Sequence, residues 1–99
     1  MRLTQLQQKI AKSTVERVLG TVSTVWLFGS RADDTLRGGD IDLLIETDAV
    51  LPNRAKILCQ LHGALTFALG DRKLDILLKD ARTRDAPIFN IAKRTGVML

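Results

Sequence analysis

The sequence holds one cysteine, one histidine, two prolines, four aromatic residues and no tyrosine. A single thiol, Cys59, excludes an internal disulfide, and Cys59 with His62 leaves too few soft donors for a four-coordinate zinc site. Any metal this chain holds must therefore be held by carboxylates. No apolar run exceeds the four residues from Val25 to Phe28, against the roughly 20 that a membrane-spanning helix requires. Met1 to Gln8 contain no apolar block of signal-peptide length, so a cytoplasmic location without membrane contact is expected.

What is present is ordinary for a globular chain: 99 residues, 45% hydrophobic and 26% charged, the size of a single domain over 1–99. A chain this short buries only about 60–65% of its unfolded surface, so exposed apolar patches, and with them a partner or a homo-oligomer, are expected. The net charge of +4 is unevenly spread. Between Gly29 and Val50 two arginines, Arg31 and Arg37, face six acids, Asp33, Asp34, Asp40, Asp42, Glu46 and Asp48, a local −4 that leaves +8 for the rest. An acidic centre in a basic frame suits contact with a polyanion through bound cations. Direct nucleic-acid binding is not expected of it.

Periodicity sets out the elements. Thr4-Gln5-Leu6-Gln7 has the capping-box pattern, and Leu3, Leu6, Ile10, Val15, Val18 and Leu19 recur at helical spacing up to Gly20. Val22 to Phe28 reads as a strand stopped at Gly29-Ser30. After a polar connection over 31–39, Ile41, Leu43 and Ile45 alternate with Asp40, Asp42, Leu44 and Glu46, a strand with one apolar face and one acidic face. A second helix opens near Pro52 and runs through Leu58, Cys59, Leu61 and Leu65 to Gly70. Leu74, Ile76 and Leu78 then alternate with Asp75, Leu77 and Lys79 in a third strand. Asp85-Ala86-Pro87 starts a last helix that Gly96 ends, leaving Val97 to Leu99 as a tail. This order predicts an α/β protein with a small mixed sheet packed against helices. Cys59 and His62 are expected at buried or boundary positions, and Trp26 and Phe28 as core anchors.

The chemistry concentrates between Gly29 and Leu43. Asp40 and Asp42 stand two apart on a strand, so their side chains leave one face about 7 Å apart at the backbone and can converge. Two carboxylates about 4 Å apart repel by about 4 kcal/mol at an effective dielectric of 20, and a divalent cation between them reverses the sign. Oxygen-only ligands point to magnesium or manganese, which complete their shells with water and phosphate oxygens. At Gly29-Ser30, where a strand gives way to a turn, the absent side chain, the hydroxyl and the following N–H groups can cradle phosphates. Asp75 is a third carboxylate for the same centre if its strand lies beside that of Asp42. With two ions, such a centre lowers the pKa of an attacking hydroxyl and neutralises a leaving pyrophosphate.

Taken together, the Gly-Ser pair, nine intervening residues, Asp40-Ile41-Asp42 and the later Asp75 in an apolar strand resemble the signature of the nucleotidyltransferase superfamily that includes DNA polymerase beta. Length and layout are most similar to its smallest branch, the minimal nucleotidyltransferases, although Gly39 stands where many relatives carry a serine. The resemblance implies the nucleotidyltransferase fold with a polymerase-beta-like palm. It implies that Gly29 and Ser30 bind nucleotide phosphates, that Asp40, Asp42 and Asp75 hold magnesium and do catalysis, and that ATP is the substrate. It further implies a HEPN-domain partner, for which such proteins act as antitoxins by adding AMP to a tyrosine. Because this chain has no tyrosine, the acceptor is expected in another molecule.

Taken singly, these signals have blander meanings. A lone Asp-x-Asp is most often the wet face of a strand and a lone Gly-Ser a turn; their conjunction in this order is what favours a site. Arg31 and Arg37, beside Asp33 and Asp34, read as surface ion pairs of little energy. The rival reading is a non-catalytic antitoxin that neutralises its partner by occupying a surface.

Overall fold

The computed structural model describes residues 4–28, 41–70 and 73–99. Along the chain come α1 (Gln5–Leu19), β1 (Thr24–Phe28), β2 (Ile41–Glu46), α2 (Arg54–Leu69), β3 (Leu74–Lys79), α3 (Pro87–Thr95) and β4 (Val97–Met98). The α/β architecture with a small mixed sheet is thus as the sequence predicts.

Local chemistry accounts for most boundaries. The Thr4 hydroxyl accepts from the Gln7 N–H at 3.1 Å and the Gln7 side chain accepts from the Thr4 N–H at 2.9 Å, closing the capping box that starts α1. Gly20 ends α1 at φ 68, a left-handed conformation that costs glycine nothing. Helix α2 is capped by Asn53, whose side chain accepts from the Lys56 N–H, so Pro52 precedes the helix instead of opening it. Pro87 does occupy the first turn of α3, but Ala86 is the cap residue, and the Asp85 carboxylate accepts from the Ala86 N–H without capping the helix.

The sheet order is β3-β2-β1-β4, with β1 antiparallel to β2 and β4, and β2 parallel to β3 through the α2 crossover. Each face of the sheet is covered by helix. On one side Val25, Leu27, Ile41, Leu43, Ile45, Leu74 and Leu78 pack with Ala11 and Val15 of α1 and Leu61, Leu65 and Leu69 of α2. On the other, a smaller cluster joins Leu44 to Phe89 and Ala92 of α3, with Trp26, Phe28 and Leu77 half-buried around it.

Several expectations are corrected by this arrangement. Val97 to Leu99 are no loose tail: Met98 and Val97 pair with Trp26 and Leu27, and the Leu99 N–H donates to the Val25 carbonyl at 2.8 Å. The polar-looking face of β2 is interrupted by Leu44, which is fully buried because α3 covers that face. Val22 is 87% exposed and lies before β1. Leu6, placed on the inner stripe of α1 by its spacing, is exposed. Cys59 and His62 are also exposed, because α2 buries the row Leu61, Leu65 and Leu69 and both lie off that row.

Candidate active site

Of the five residues the sequence singles out, Asp42 and Asp75 fall within the described residues; Gly29, Ser30 and Asp40 lie outside them. Asp42 is the second residue of β2 and Asp75 the second of β3, and the parallel pairing sets them directly side by side. Residues paired across adjacent strands project from the same face, with backbones about 4.8 Å apart. Asp42 is half-buried and Asp75 exposed.

The hydrophobic core enforces that register. Ile41 pairs with Leu74, Leu43 with Ile76 and Ile45 with Leu78, and all six point into the α1–α2 layer. A slip of one residue would turn Asp75 and Lys79 into that layer and Leu74 and Leu78 out of it. The carboxylate pair is therefore set by apolar packing on the opposite face of the same two strands.

Along the face that carries the acids, the sheet changes character in rows. The first row is Asp75, Asp42 and Phe28; the second is Leu77, Leu44 and Trp26; the third is Lys79, Glu46 and Thr24. Helix α3 lies over the second row, and Lys93 donates to Glu46 at 2.7 Å while Lys79 stands 4.0 Å from the same carboxylate. Glu46, on the acidic face of β2, is partly enclosed by this pair of lysines. Lys79 also sits 5.8 Å from the centre of the Phe89 ring. The lysine end of the face is thus held by α3, about 13 Å along the strands from the acids.

One carboxylate that the sequence reading passed over is buried. Asp80, 2% exposed, follows β3 and accepts from the Leu51 N–H at 2.9 Å, the Arg82 N–H at 3.1 Å and the Thr83 hydroxyl at 2.8 Å. Its pKa lies below the ordinary carboxylate value. The Leu51 hydrogen bond lowers it most, burial opposes that, and Thr83, Arg82 and the Arg54 charge add to the lowering. Arg54 donates to the Leu78 carbonyl nearby. These bonds tie the segment before α2 to the end of β3, opposite the acid end. Asp80 is a structural clasp, and Asp80-Ala81-Arg82-Thr83 after an apolar strand is the local turn signal that marks it.

Asp42 and Asp75 offer only oxygen donors on one face, a donor set that suits a hard divalent cation. Among the described residues no group of three or more His, Cys, Asp or Glu side chains stands ready for a metal, so the pair needs a further ligand, the position the sequence assigns to Asp40. A shallow groove of about 450 Å³ on the outside of α3, lined by Asp85, Pro87, Asn90, Ile91 and Arg94 among others, includes neither acid.

A family model described as "Nucleotidyltransferase domain" matches residues 8–95. No curated protein matches the chain. The matched span runs from the first turns of α1 to the last residue of α3 and includes every element that positions the acid pair.

Proposed function

The chain belongs to the nucleotidyltransferase domain family, and from that premise we propose that it transfers AMP from magnesium-ATP to a hydroxyl group of a partner protein. The observation that carries the reading is the side-by-side register of Asp42 and Asp75 on one face of the sheet. In the transfer, the acceptor oxygen bonds to the α-phosphorus of the nucleotide, the bond from that phosphorus to the bridging oxygen breaks, and pyrophosphate leaves. The hydroxyl proton passes to a carboxylate, the role given to Asp75 as the more exposed of the two.

Asp40, Asp42 and Asp75 are the residues that would hold magnesium, which when bound supplies charge neutralisation at the phosphates and a lowered pKa at the attacking hydroxyl. Gly29 and Ser30 are the residues that would bind the phosphate tail, through backbone N–H groups and the Ser30 hydroxyl. Lacking tyrosine, the chain offers no phenol of its own, which supports an acceptor in trans. Resemblance to the minimal nucleotidyltransferases supports a HEPN-domain acceptor and an antitoxin role in the cytoplasm.

Incubation of the chain with α-labelled ATP, magnesium and the protein encoded beside it is expected to label that protein and release one pyrophosphate per label. Asp42→Asn is expected to lower the rate at least about 100-fold. Undiminished labelling by Asp42→Asn would sink the mechanism. Neutralisation of the partner in cells by an Asp42→Asn chain that transfers nothing would favour the non-catalytic reading.

A further inference from the structure

We infer that the acceptor is an extended, acid-flanked segment that adds to the open edge of β3 as a fifth, antiparallel strand, with its hydroxyl residue opposite Asp75; the inference rests on the transfer reading above. Strand β3 is the end of the sheet, and among the described residues no strand pairs with its outer side. It is six residues long, three times the length of β4 at the opposite edge, and it carries Asp75, whereas β4 is separated from β2 by β1.

Hydrogen bonding tells which backbone groups are on offer. The Ile41 N–H donates to the Lys73 carbonyl and the Thr47 N–H to the Lys79 carbonyl, so the odd-numbered residues of β3 face β2 in the parallel ladder. The N–H and carbonyl groups of Leu74, Ile76 and Leu78 therefore point outward. Arg54 takes the Leu78 carbonyl, closing the far end and leaving the stretch beside Asp75 as the place for an added strand.

Charge along the edge selects the occupant. On the acid face the edge presents Lys73, Asp75, Leu77 and Lys79 at two-residue intervals, with Lys73 and Asp75 exposed. Across neighbouring strands opposite charges attract and like charges repel. The complementary strand carries an acid opposite each lysine, an apolar residue opposite Leu77 and an uncharged hydroxyl residue opposite Asp75. Charged residues on an edge also deter indiscriminate pairing, so the same lysines that admit this strand exclude basic ones.

The test uses the whole chain, nitrogen-15 labelled, titrated with the acetylated, amidated peptide Glu-Val-Leu-Val-Tyr-Val-Glu and with its counterpart having lysine at both ends. Expected are shifts and at least about tenfold slower hydrogen exchange at the Leu74 and Ile76 amides. The lysine peptide should bind at least tenfold more weakly, and this preference should disappear in Lys73→Glu and invert in Lys73→Glu/Lys79→Glu. Equal binding of the two peptides, or perturbation centred on Met98 or α3, overturns the inference. Label transfer to a partner whose binding leaves the Leu74 and Ile76 amides unchanged also overturns it, while the transfer reading stands. Edge docking by a chain that labels no acceptor with any nucleoside triphosphate upholds the docking and overturns the transfer reading.

Discussion

Two ionised carboxylates paired across adjacent strands, as Asp42 and Asp75 are, repel one another. At neighbouring-strand distance and with Asp75 exposed, the repulsion is of the order of 0.5–1 kcal/mol. Asp75→Asn is therefore expected to raise the melting temperature of the metal-free chain by a few degrees while transfer falls about 100-fold or more. Thermal scans with and without magnesium check this: the ion should stabilise the native chain more than the variant. Asp80 behaves in the opposite way. Its folded pKa lies below the unfolded value of about 3.9, so its contribution is fully present above that value and is lost as the pH falls through 4 towards the folded value. Urea midpoints at pH 7 and pH 3 should differ less for Asp80→Asn than for the native chain. Asp80→Ala, which strands the Leu51 and Arg82 N–H groups, is expected to cost about 2–4 kcal/mol at pH 7.

At the level of elements, the turn between α3 and β4 is tightly specified at Gly96. A Cβ on Gly96 would stand 2.5 Å from the Ala92 carbonyl oxygen and 2.7 Å from that of Leu27, both backbone atoms with little room to move. Gly96→Ala is expected to destabilise the protein by about 2 kcal/mol and to detach β4 first, visible as faster hydrogen exchange at the Leu99 amide, which donates to Val25. Helix α3 itself is held by Phe89 and Ala92 more than by its ion pair. Lys93 and Glu46 are both partly exposed, so Lys93→Met should cost less than about 1 kcal/mol and depend on salt.

Across the whole molecule, one strand serves two cores. Leu43 and Leu44 are adjacent, both fully buried, and point to opposite faces, Leu43 towards α1 and α2 and Leu44 towards α3. Each truncation to alanine is expected to cost about 2–5 kcal/mol. A domain of this size is stable by about 5–15 kcal/mol. The double variant should therefore lose its cooperative urea transition, while each single variant keeps one. The exposed apolar surface foreseen from chain length is present, with Phe67 94% and Val22 87% exposed.

Signals confined to one turn or one strand were legible before any coordinates: the Thr4 cap, the glycine after α1, the two-residue alternation of β2 and β3, and the places of Asp42 and Asp75 within it. The family match over 8–95 accords with the nucleotidyltransferase resemblance read from the sequence. Tertiary structure alone decided that β2 and β3 are neighbours in this register, that Val97 and Met98 close the sheet, that Leu44 is covered, and that Cys59 is not. The physical reason is that periodicity encodes which residues share a face, a property of the local backbone. What covers that face depends on contacts between segments far apart in the chain, whose free energy no single stretch of sequence contains.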